Sequence, residues 1–194
     1  MTPCVCQRER KIQRELPARY QLARLSDFPV ELQSRAARWI AHPGDGLLIE
    51  GPVGSGKTYL AAAIVRARIE SGMRASFRRS ADLYAALRES YRLNASESDL
   101  MGPYRDAQLL VLDNLGAGSL TDFERRITLE ILDRRLNDRR PTVVTTNWEL
   151  DAIAEKMDDR IASRLAMYVN FRLDGRDRRL AGFGGEKSLV LQHA

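Results

Sequence analysis

An eight-residue glycine-rich segment constrains the fold of this chain more than any other feature of its sequence. Residues 51–58 read GPVGSGKT, which fits the phosphate-loop pattern G-x-x-x-x-G-K-[ST] at every fixed position. A short apolar run, Gly46–Glu50, precedes the segment, and a helical apolar stripe follows it to about residue 71. A phosphate loop requires this order of a buried strand, a glycine-rich turn and a helix.

The residue types in this loop suit the chemistry of a nucleoside triphosphate bound with Mg²⁺. Glycines let backbone N–H groups curl around the β- and γ-phosphates, and the helix N-terminus adds the positive end of a dipole. Lys57 would neutralise the terminal phosphates, and the Thr58 hydroxyl would ligate magnesium. We therefore expect ATP or ADP and Mg²⁺ as cofactors. The expected nucleotide contacts are Gly51, Pro52, Val53, Gly54, Ser55, Gly56, Lys57, Thr58 and Tyr59.

Strand and helix patterns alternate along the rest of the chain. Apolar or β-branched runs predict strands at residues 46–50, 74–78, 109–112, 142–146 and 167–173. Helical spacing predicts helices at residues 30–41, 57–71, 80–106, about 122–140, 149–156 and 158–165, the third as one helix or two broken near 94–96. Thr121 and Glu124 form a capping box. The alternation predicts an α/β fold with a five-stranded parallel sheet flanked by helices.

The length of 194 residues fits a single α/β domain with short extensions. We predict a basic, extended N-terminal arm over residues 1–30, a core over 31–180 and a C-terminal tail over 181–194.

Apolar runs reach only about five residues, too few to span a bilayer, and residues 1–15 are charged where a signal peptide would be apolar. We expect a cytoplasmic protein with no membrane partner. The only two cysteines, Cys4 and Cys6, exclude a disulfide framework and are expected to be reduced thiols in a mobile tail.

The net charge is +5, and most of the 31 basic residues are arginine. Arginine makes flat, bidentate contacts with phosphate and carboxylate groups, so this composition favours nucleic acid or nucleotide partners. A GC-rich genome that encodes arginine in place of lysine explains the composition equally well. Each arginine therefore has to be judged by its position.

A carboxylate follows the third predicted strand. The apolar residues 109–112 place Asp113 at the strand's C-terminal end, where it can hold the water shell of magnesium opposite Thr58. The next residue is Asn114, at a position where ATP-driven motors usually carry a second acid that polarises the attacking water. An amide orients water but accepts a proton poorly, so we expect slow hydrolysis. Asp122 or Glu124 could substitute for this acid, although helix capping explains both.

Three polar residues farther along the chain are candidates for the same site. Asn147 follows the strand at 142–146, from where it could contact the γ-phosphate or the water, or could cap the next helix. Arg160 and Arg164 are four residues apart and project from one helical face, so they could complete the nucleotide site of an adjacent subunit. The alternative is a solvated basic face with salt bridges to Glu155 or Asp158.

Taken in order, these motifs resemble the DnaC, DnaI and IstB group of AAA+ ATPases. Besides the phosphate loop, the resemblance is carried by LLVLDNLG at 109–116, TDFE at 121–124, PTVVTTN at 141–147, RIASRL at 160–165 and GRDRR at 175–179. It implies that residues 31–180 form an AAA+ P-loop NTPase core with little or no lid domain. It also implies a replicative helicase loader or the similar helper ATPase of some transposons.

The same resemblance implies roles for individual residues. Asn147 matches sensor 1, Arg164 matches the arginine finger with Arg160 as its neighbour, and Arg178 or Arg179 could take the sensor 2 role. The segment Tyr20–Phe28 resembles the stretch that packs near adenine.

Residues 80–106 correspond to the inserted helical element that faces single-stranded DNA in such loaders. Within it, Tyr84, Arg88, Tyr91 and Arg92 combine rings for base stacking with charge for backbone phosphates. Packing of a helix face on the sheet explains the two tyrosines equally well.

The leading hypothesis is an ATP-switched loading factor in DNA replication. ATP-dependent self-association would grip single-stranded DNA while holding a replicative ring helicase. A transposition helper ATPase with a transposase as its partner is the alternative in the same class. The other classes considered are a DNA-binding module with weak or absent catalysis, which Asn114 motivates, and a small-molecule P-loop kinase that uses residues 80–106 as a substrate lid.

Overall fold

A five-stranded parallel sheet forms the centre of the fold. The computed structural model describes residues 5–93, 97–118 and 120–174, with the backbone alone over 97–100. The strands are β1 (Gly46–Glu50), β2 (Ala75–Arg79), β3 (Leu109–Leu115), β4 (Thr142–Thr146) and β5 (Val169–Arg172). They lie in the order β2-β3-β4-β1-β5, and every neighbouring pair is parallel. The predicted α/β fold with a five-stranded parallel sheet is confirmed.

Helices cover both faces of this sheet. They are α1 (Val5–Glu15), α2 (Val30–Ala41), α3 (Lys57–Glu70), α4 (Ser80–Arg92), α5 (Glu97–Asp106), α6 (Asp122–Asn137), α7 (Leu150–Lys156) and α8 (Asp159–Leu165). Along β1, Leu47 and Ile49 pack into the core beneath α1, α2 and α3, whereas Leu48 packs into the core beneath α4 to α8. A strand buried on both faces explains the unbroken apolar run that the sequence shows there. In the described part of the chain, no helix is long and apolar enough to cross a membrane.

The N-terminal segment differs from the extended arm expected over residues 1–30. Val5–Glu15 form a helix, and Ile12 on that helix is fully buried against α3. Arg66 of α3 binds the N-terminal segment to this helix. Its guanidinium contacts the Glu9 carboxylate at 3.2 Å and donates to the Gln21 carbonyl oxygen. The expectation of an extended arm is therefore wrong for residues 5–15, and Cys6 lies exposed on α1. Cys4, the tail at 181–194 and the sensor 2 candidates Arg178 and Arg179 lie outside the described residues.

The end of β3 is shaped by a bulge. The strand continues past the predicted residue 112 to Leu115, and its register with β4 shifts between Leu112 and Leu115. Within the shift Asn114 adopts φ +61°, a left-handed conformation that asparagine tolerates better than most residues. A bulge of this kind re-aims the side chains beside it. The carboxyl ends of β1, β3 and β4 meet at one edge, so the loop after β1, Asp113 and Asn147 all lie there.

The helical element at residues 80–106 is anchored by a buried guanidinium. Its two helices are α4 and α5, and the predicted break at 94–96 lies outside the described residues. Arg135 of α6 is fully buried and donates to the carbonyl oxygens of Tyr104, Arg105 and Ala107 at the C-terminal end of α5. It also donates to Pro141 O and Thr142 Oγ1 beside β4. One side chain thus ties the helical element to the sheet.

Candidate functional site

The loop after β1 turns sharply into the first turn of α3. Gly56 precedes the helix with φ +101°, and Gly51 has φ +146°. A Cβ on Gly51 would also collide with the carbonyl oxygen of Leu173, so this position requires glycine. The first N–H groups of α3 have no acceptors within the helix, and together with the helix dipole they form a site suited to an anion.

Two side chains of this loop are held in a way that fits a bound triphosphate. Lys57 is largely buried, and its Nζ donates to the carbonyl oxygens of Gly51 and Pro52, each at 2.7 Å. Ser55 Oγ is buried and has no hydrogen-bond partner in the described part of the chain. A buried hydroxyl without a partner is unfavourable, and phosphate oxygens would relieve that. The residues present therefore fit the nucleotide that the sequence predicts.

Asp113 is held beside the loop by two threonines. Thr145 Oγ1 donates to Asp113 Oδ1 at 2.7 Å and accepts the N–H of Asn114 at 2.8 Å. Burial raises the pKa of Asp113, while hydrogen bonds from Thr145 and then Thr58 act in the opposite direction. The structure thus brings together Thr58 and Asp113, the two predicted magnesium ligands. In the described residues no group of three or more acidic, histidine or cysteine side chains could hold a metal ion.

Sequence reasoning missed two residues of this arrangement. Thr145 was read only as part of a β-branched strand, yet it positions both Asp113 and Asn114. Arg79 is the register partner of Asp113 on β2, and its charge favours the ionised form of that carboxylate, lowering its pKa. Register between strands distant in sequence brings these residues together, so the only available signal was that each lies within one residue of the C-terminal end of a predicted strand.

Glu50, the last residue of β1, is a third residue that sequence reasoning missed. It is 5% exposed, and its Oε2 has no hydrogen-bond partner in the described part of the chain. Burial raises its pKa, against a hydrogen bond with Asn170 and the charge of Arg172. A second buried carboxylate therefore lies directly before the phosphate loop, in register with Thr146.

Asn147 lies exposed directly after β4. Helix α7 starts at Leu150 with Glu149 as the residue before it, so the alternative that Asn147 caps this helix is wrong. Asn147 lies at the same sheet edge as the phosphate loop, and its contact with the γ-phosphate stays a prediction.

Arg160 and Arg164 lie on a different surface. They line an open groove of about 440 Å³ between α6 and α8, formed by Asp122, Arg125, Arg126, Leu129, Asp133, Asp158, Arg160 and Arg164. Arg160 pairs with Asp158 at 3.0 Å, as the salt-bridge alternative expects, and Arg164 pairs with Asp133. None of the described residues that line this groove belongs to the phosphate loop. The structure therefore brings the two arginines together but does not bring them to Lys57.

Tyr59 and the segment Tyr20–Phe28 lie beside the loop. The Tyr59 hydroxyl donates to Asp27 Oδ2 at 2.8 Å. Its ring packs against Tyr20 and Phe28, with ring centroids 6.4 and 5.9 Å apart. The expected proximity of this segment to the nucleotide loop has a structural basis in these contacts, and a contact with adenine remains a proposal.

The candidate DNA-binding residues differ in their surroundings. Tyr84 is buried, and its hydroxyl lies 2.6 Å from Thr128 Oγ1, so for this ring the packing alternative holds. Arg88 donates to Glu124 Oε1 at 2.7 Å, and Arg92 is 80% exposed with a loose pair to Glu89. The Tyr91 ring meets Phe123 edge-on, with centroids 5.6 Å apart. Arg88, Tyr91 and Arg92 thus share one surface of α4.

Comparison with known proteins identifies relatives of this chain. A family model described as "IstB-like ATP binding protein" matches residues 20–167. The chain is 29% identical over 140 residues to the replicative helicase loader DnaC of Escherichia coli K12, covering 70% of this chain and 57% of that protein. It is 36% identical over 109 residues to a Sinorhizobium fredii protein named as an insertion sequence ATP-binding protein, covering 56% of this chain and 36% of that one.

Among solved structures, the crystal structure of the DnaC helicase loader aligns with a TM-score of 0.73 at 23% identity, covering 81% of this chain and 100% of that chain. This likeness establishes the AAA+ P-loop fold. The chain spans little more than half the length of the DnaC protein that it matches. Because the family model matches most of the chain, from the segment before α2 to the end of α8, this protein belongs to the IstB-like ATP-binding family and is an AAA+ protein of the DnaC/IstB group.

Proposed function

We propose that this protein is an ATP-switched DNA replication factor that loads a replicative ring helicase onto single-stranded DNA. In this proposal ATP and Mg²⁺ bind between the phosphate loop and Asp113, and slow hydrolysis resets the assembly. DnaC, to which the chain is similar over 70% of its length, is named a replicative helicase loader.

The proposal rests on one observation: on a single chain, the phosphate loop and the candidate arginine finger lie on different surfaces. Lys57 and Thr58 lie with Asp113 at the sheet edge, whereas Arg164 lines the groove between α6 and α8. An arginine finger can act on a nucleotide bound to another subunit, and we infer that Arg164 acts on the nucleotide of a second copy of this chain. A contact between two unlike surfaces repeats from copy to copy and produces rings or open helical filaments. We infer that ATP occupancy drives this self-association.

The edge residues supply distinct parts of the proposed chemistry. Lys57 and the first N–H groups of α3 bind phosphate oxygens, and Thr58 with Asp113 holds Mg²⁺, which would neutralise charge on the β- and γ-phosphates. Thr145 fixes Asp113 and the backbone of Asn114 through one hydroxyl. Asn114 and Asn147 orient the attacking water without accepting its proton, so turnover is slow.

Single-stranded DNA is the proposed substrate of the α4 surface. Arg92 is mostly exposed there, and Arg88 and Tyr91 lie on the same helix. Guanidinium groups contact backbone phosphates, and a tyrosine ring stacks with a base of any sequence. Such binding weakens steeply with salt, because phosphate contacts release counterions.

A transposition helper is the second candidate, favoured by two of the comparisons. The family model is named for IstB, and a relative at 36% identity is named as an insertion sequence ATP-binding protein. In that role the same ATP-driven assembly would form on duplex DNA and recruit a transposase.

The test is a loading assay with the purified protein, ATP, the replicative helicase of the same genome and circular single-stranded DNA coated with its binding protein. Helicase-dependent unwinding that requires this protein and is lost with Lys57→Ala is expected. A failure to load the helicase, together with ATP-dependent assembly on duplex DNA, would favour the transposition helper.

A further inference from the structure

The carboxyl ends of β3 and β4 are joined by side chains where their backbone ladder is interrupted. The register shift between Leu112 and Leu115 disrupts regular strand pairing around Asp113 and Asn114. Beyond the shift, Thr146 Oγ1 donates to Leu115 O at 3.0 Å and accepts the backbone N–H of Trp148 at 3.2 Å. These side-chain bonds reinforce the pairing of Leu115 with Thr146, where the backbone ladder resumes after the shift.

The indole of Trp148 makes the outermost of these bonds. Its Nε1–H donates to Gly116 O at 2.7 Å, and Lys156 Nζ lies 3.9 Å from the centroid of its ring. Gly116 has φ +75°, and a Cβ there would collide with Met157 and lie 3.2 Å from Trp148 Cδ1. Only glycine admits both this conformation and the close approach of the indole.

The position of Trp148 links two candidate site residues. It directly follows Asn147, and its bond partner Gly116 lies two residues after Asn114. Chain continuity therefore joins Asn147 to the indole, and the indole hydrogen bond joins Asn147 to the backbone two residues after Asn114.

We propose that Trp148 is a positioning residue, whose indole N–H fixes Asn114 relative to Asn147 and transmits the presence of the γ-phosphate to the loop at residues 116–118. This inference rests on the proposed ATP site. It assigns no contact between Trp148 and the nucleotide.

The chain offers a matched control for this bond. Trp39, the only other tryptophan, also donates its Nε1–H to a backbone carbonyl, Gly46 O at 3.1 Å. Gly46 begins β1, at the opposite end of the strand from the phosphate loop. Trp39→Phe and Trp148→Phe therefore delete the same chemical bond, one remote from the site and one beside it.

The test combines tryptophan emission with calorimetric ATP and ADP titrations of the wild type and both variants. We expect ATP affinity within about threefold of wild type in both variants. ATP should change the emission of wild type and of Trp39→Phe more than ADP does, and this difference should vanish in Trp148→Phe. Steady-state kinetics should show kcat lowered about tenfold with KM nearly unchanged in Trp148→Phe alone, the size expected for one well-formed hydrogen bond.

The outcomes separate the inference from the proposed function. If ATP binds by calorimetry but Trp148 emission does not distinguish ATP from ADP, the coupling is overturned and the ATP site stands. Equal loss of kcat in the two variants would also overturn it, because the effect would then be one of general stability. If none of the three proteins binds ATP, the proposed function fails, and the coupling fails with it.

Discussion

Arg164 Nε lies 2.5 Å from Asp133 Oδ1 across the groove between α8 and α6. The guanidinium proposed to act on the nucleotide of a second copy is therefore paired within its own chain. The two side chains are 35% and 42% exposed, so solvent screening makes this ion pair much weaker than a buried one. In the proposed assembly, a triphosphate would therefore compete with Asp133 for Arg164.

Removal of the competing charge should favour assembly. In Asp133→Asn, Arg164 loses its anionic partner, and we expect self-association at an ATP or protein concentration about two- to fivefold lower, as suits an exposed ion pair. Sizing with light scattering across an ATP titration measures this. Asp159→Asn makes the same charge change on the exposed side of α8 and serves as the control. An equal response of the two variants would show that net charge, not the pair, limits assembly.

Loss of Arg164 should separate nucleotide binding from assembly. In Arg164→Ala the phosphate loop is untouched, so an isolated subunit should bind ATP with wild-type affinity while ATP-dependent oligomers disappear. Calorimetry measures the first property and analytical ultracentrifugation the second. Normal oligomers in this variant would refute the assignment of Arg164 to the neighbouring site.

A carboxylate at position 114 should accelerate hydrolysis. Asn114 has φ +61°, a conformation that aspartate adopts more readily than glutamate, so Asn114→Asp supplies a proton acceptor with little strain. We expect turnover to rise at least about tenfold, since a positioned general base typically contributes more than that. Phosphate release is measured with and without single-stranded DNA, and Asn114→Ala controls for loss of the amide. No turnover in any form would favour a binding module over a slow ATPase.

Neutralising Glu50 should stabilise the protein in a pH-dependent manner. Burial raises the pKa of Glu50 above its ordinary value of 4.5, so the folded state binds this proton more tightly than the unfolded state. The contribution of Glu50 to stability is therefore present below that ordinary value and is lost as pH rises through the raised pKa. Glu50→Gln should melt about 2 °C higher than wild type at pH 7.5. The difference should vanish near pH 4, and a difference independent of pH would contradict this account.

Arg135 should be the most sensitive arginine for stability. Burial lowers its pKa to about 10, and within the described part of the chain its hydrogen-bond acceptors are neutral carbonyl or hydroxyl oxygens. In Arg135→Met these buried acceptors lose their donor, and we expect about 3 kcal/mol of destabilisation in urea unfolding. The neighbouring Arg134 is 61% exposed, so Arg134→Met should cost under about 0.5 kcal/mol. Comparable losses in the two variants would show that the buried network contributes little.

Local patterns in the sequence determined the elements of the fold. The apolar runs predict all five strands to within a few residues, and the capping box of Thr121 and Glu124 forms as expected. The phosphate loop was recognisable because its function resides in consecutive backbone groups. Such features depend on neighbours within about four residues, and therefore a single sequence specifies them.

Only the tertiary structure decided which distant residues meet. The Thr145 hydroxyl reaches Asp113 across 32 positions of sequence, and Arg164 reaches Asp133 across 31. Sheet register and helix packing determine these pairs, and neither produces a periodic pattern in the sequence. The same reason accounts for the N-terminal helix, which lies in a basic segment that the sequence predicts to be an extended arm. Ile12 becomes part of the core only because α3 offers it a surface, and Arg66 of α3 offers a partner for Glu9.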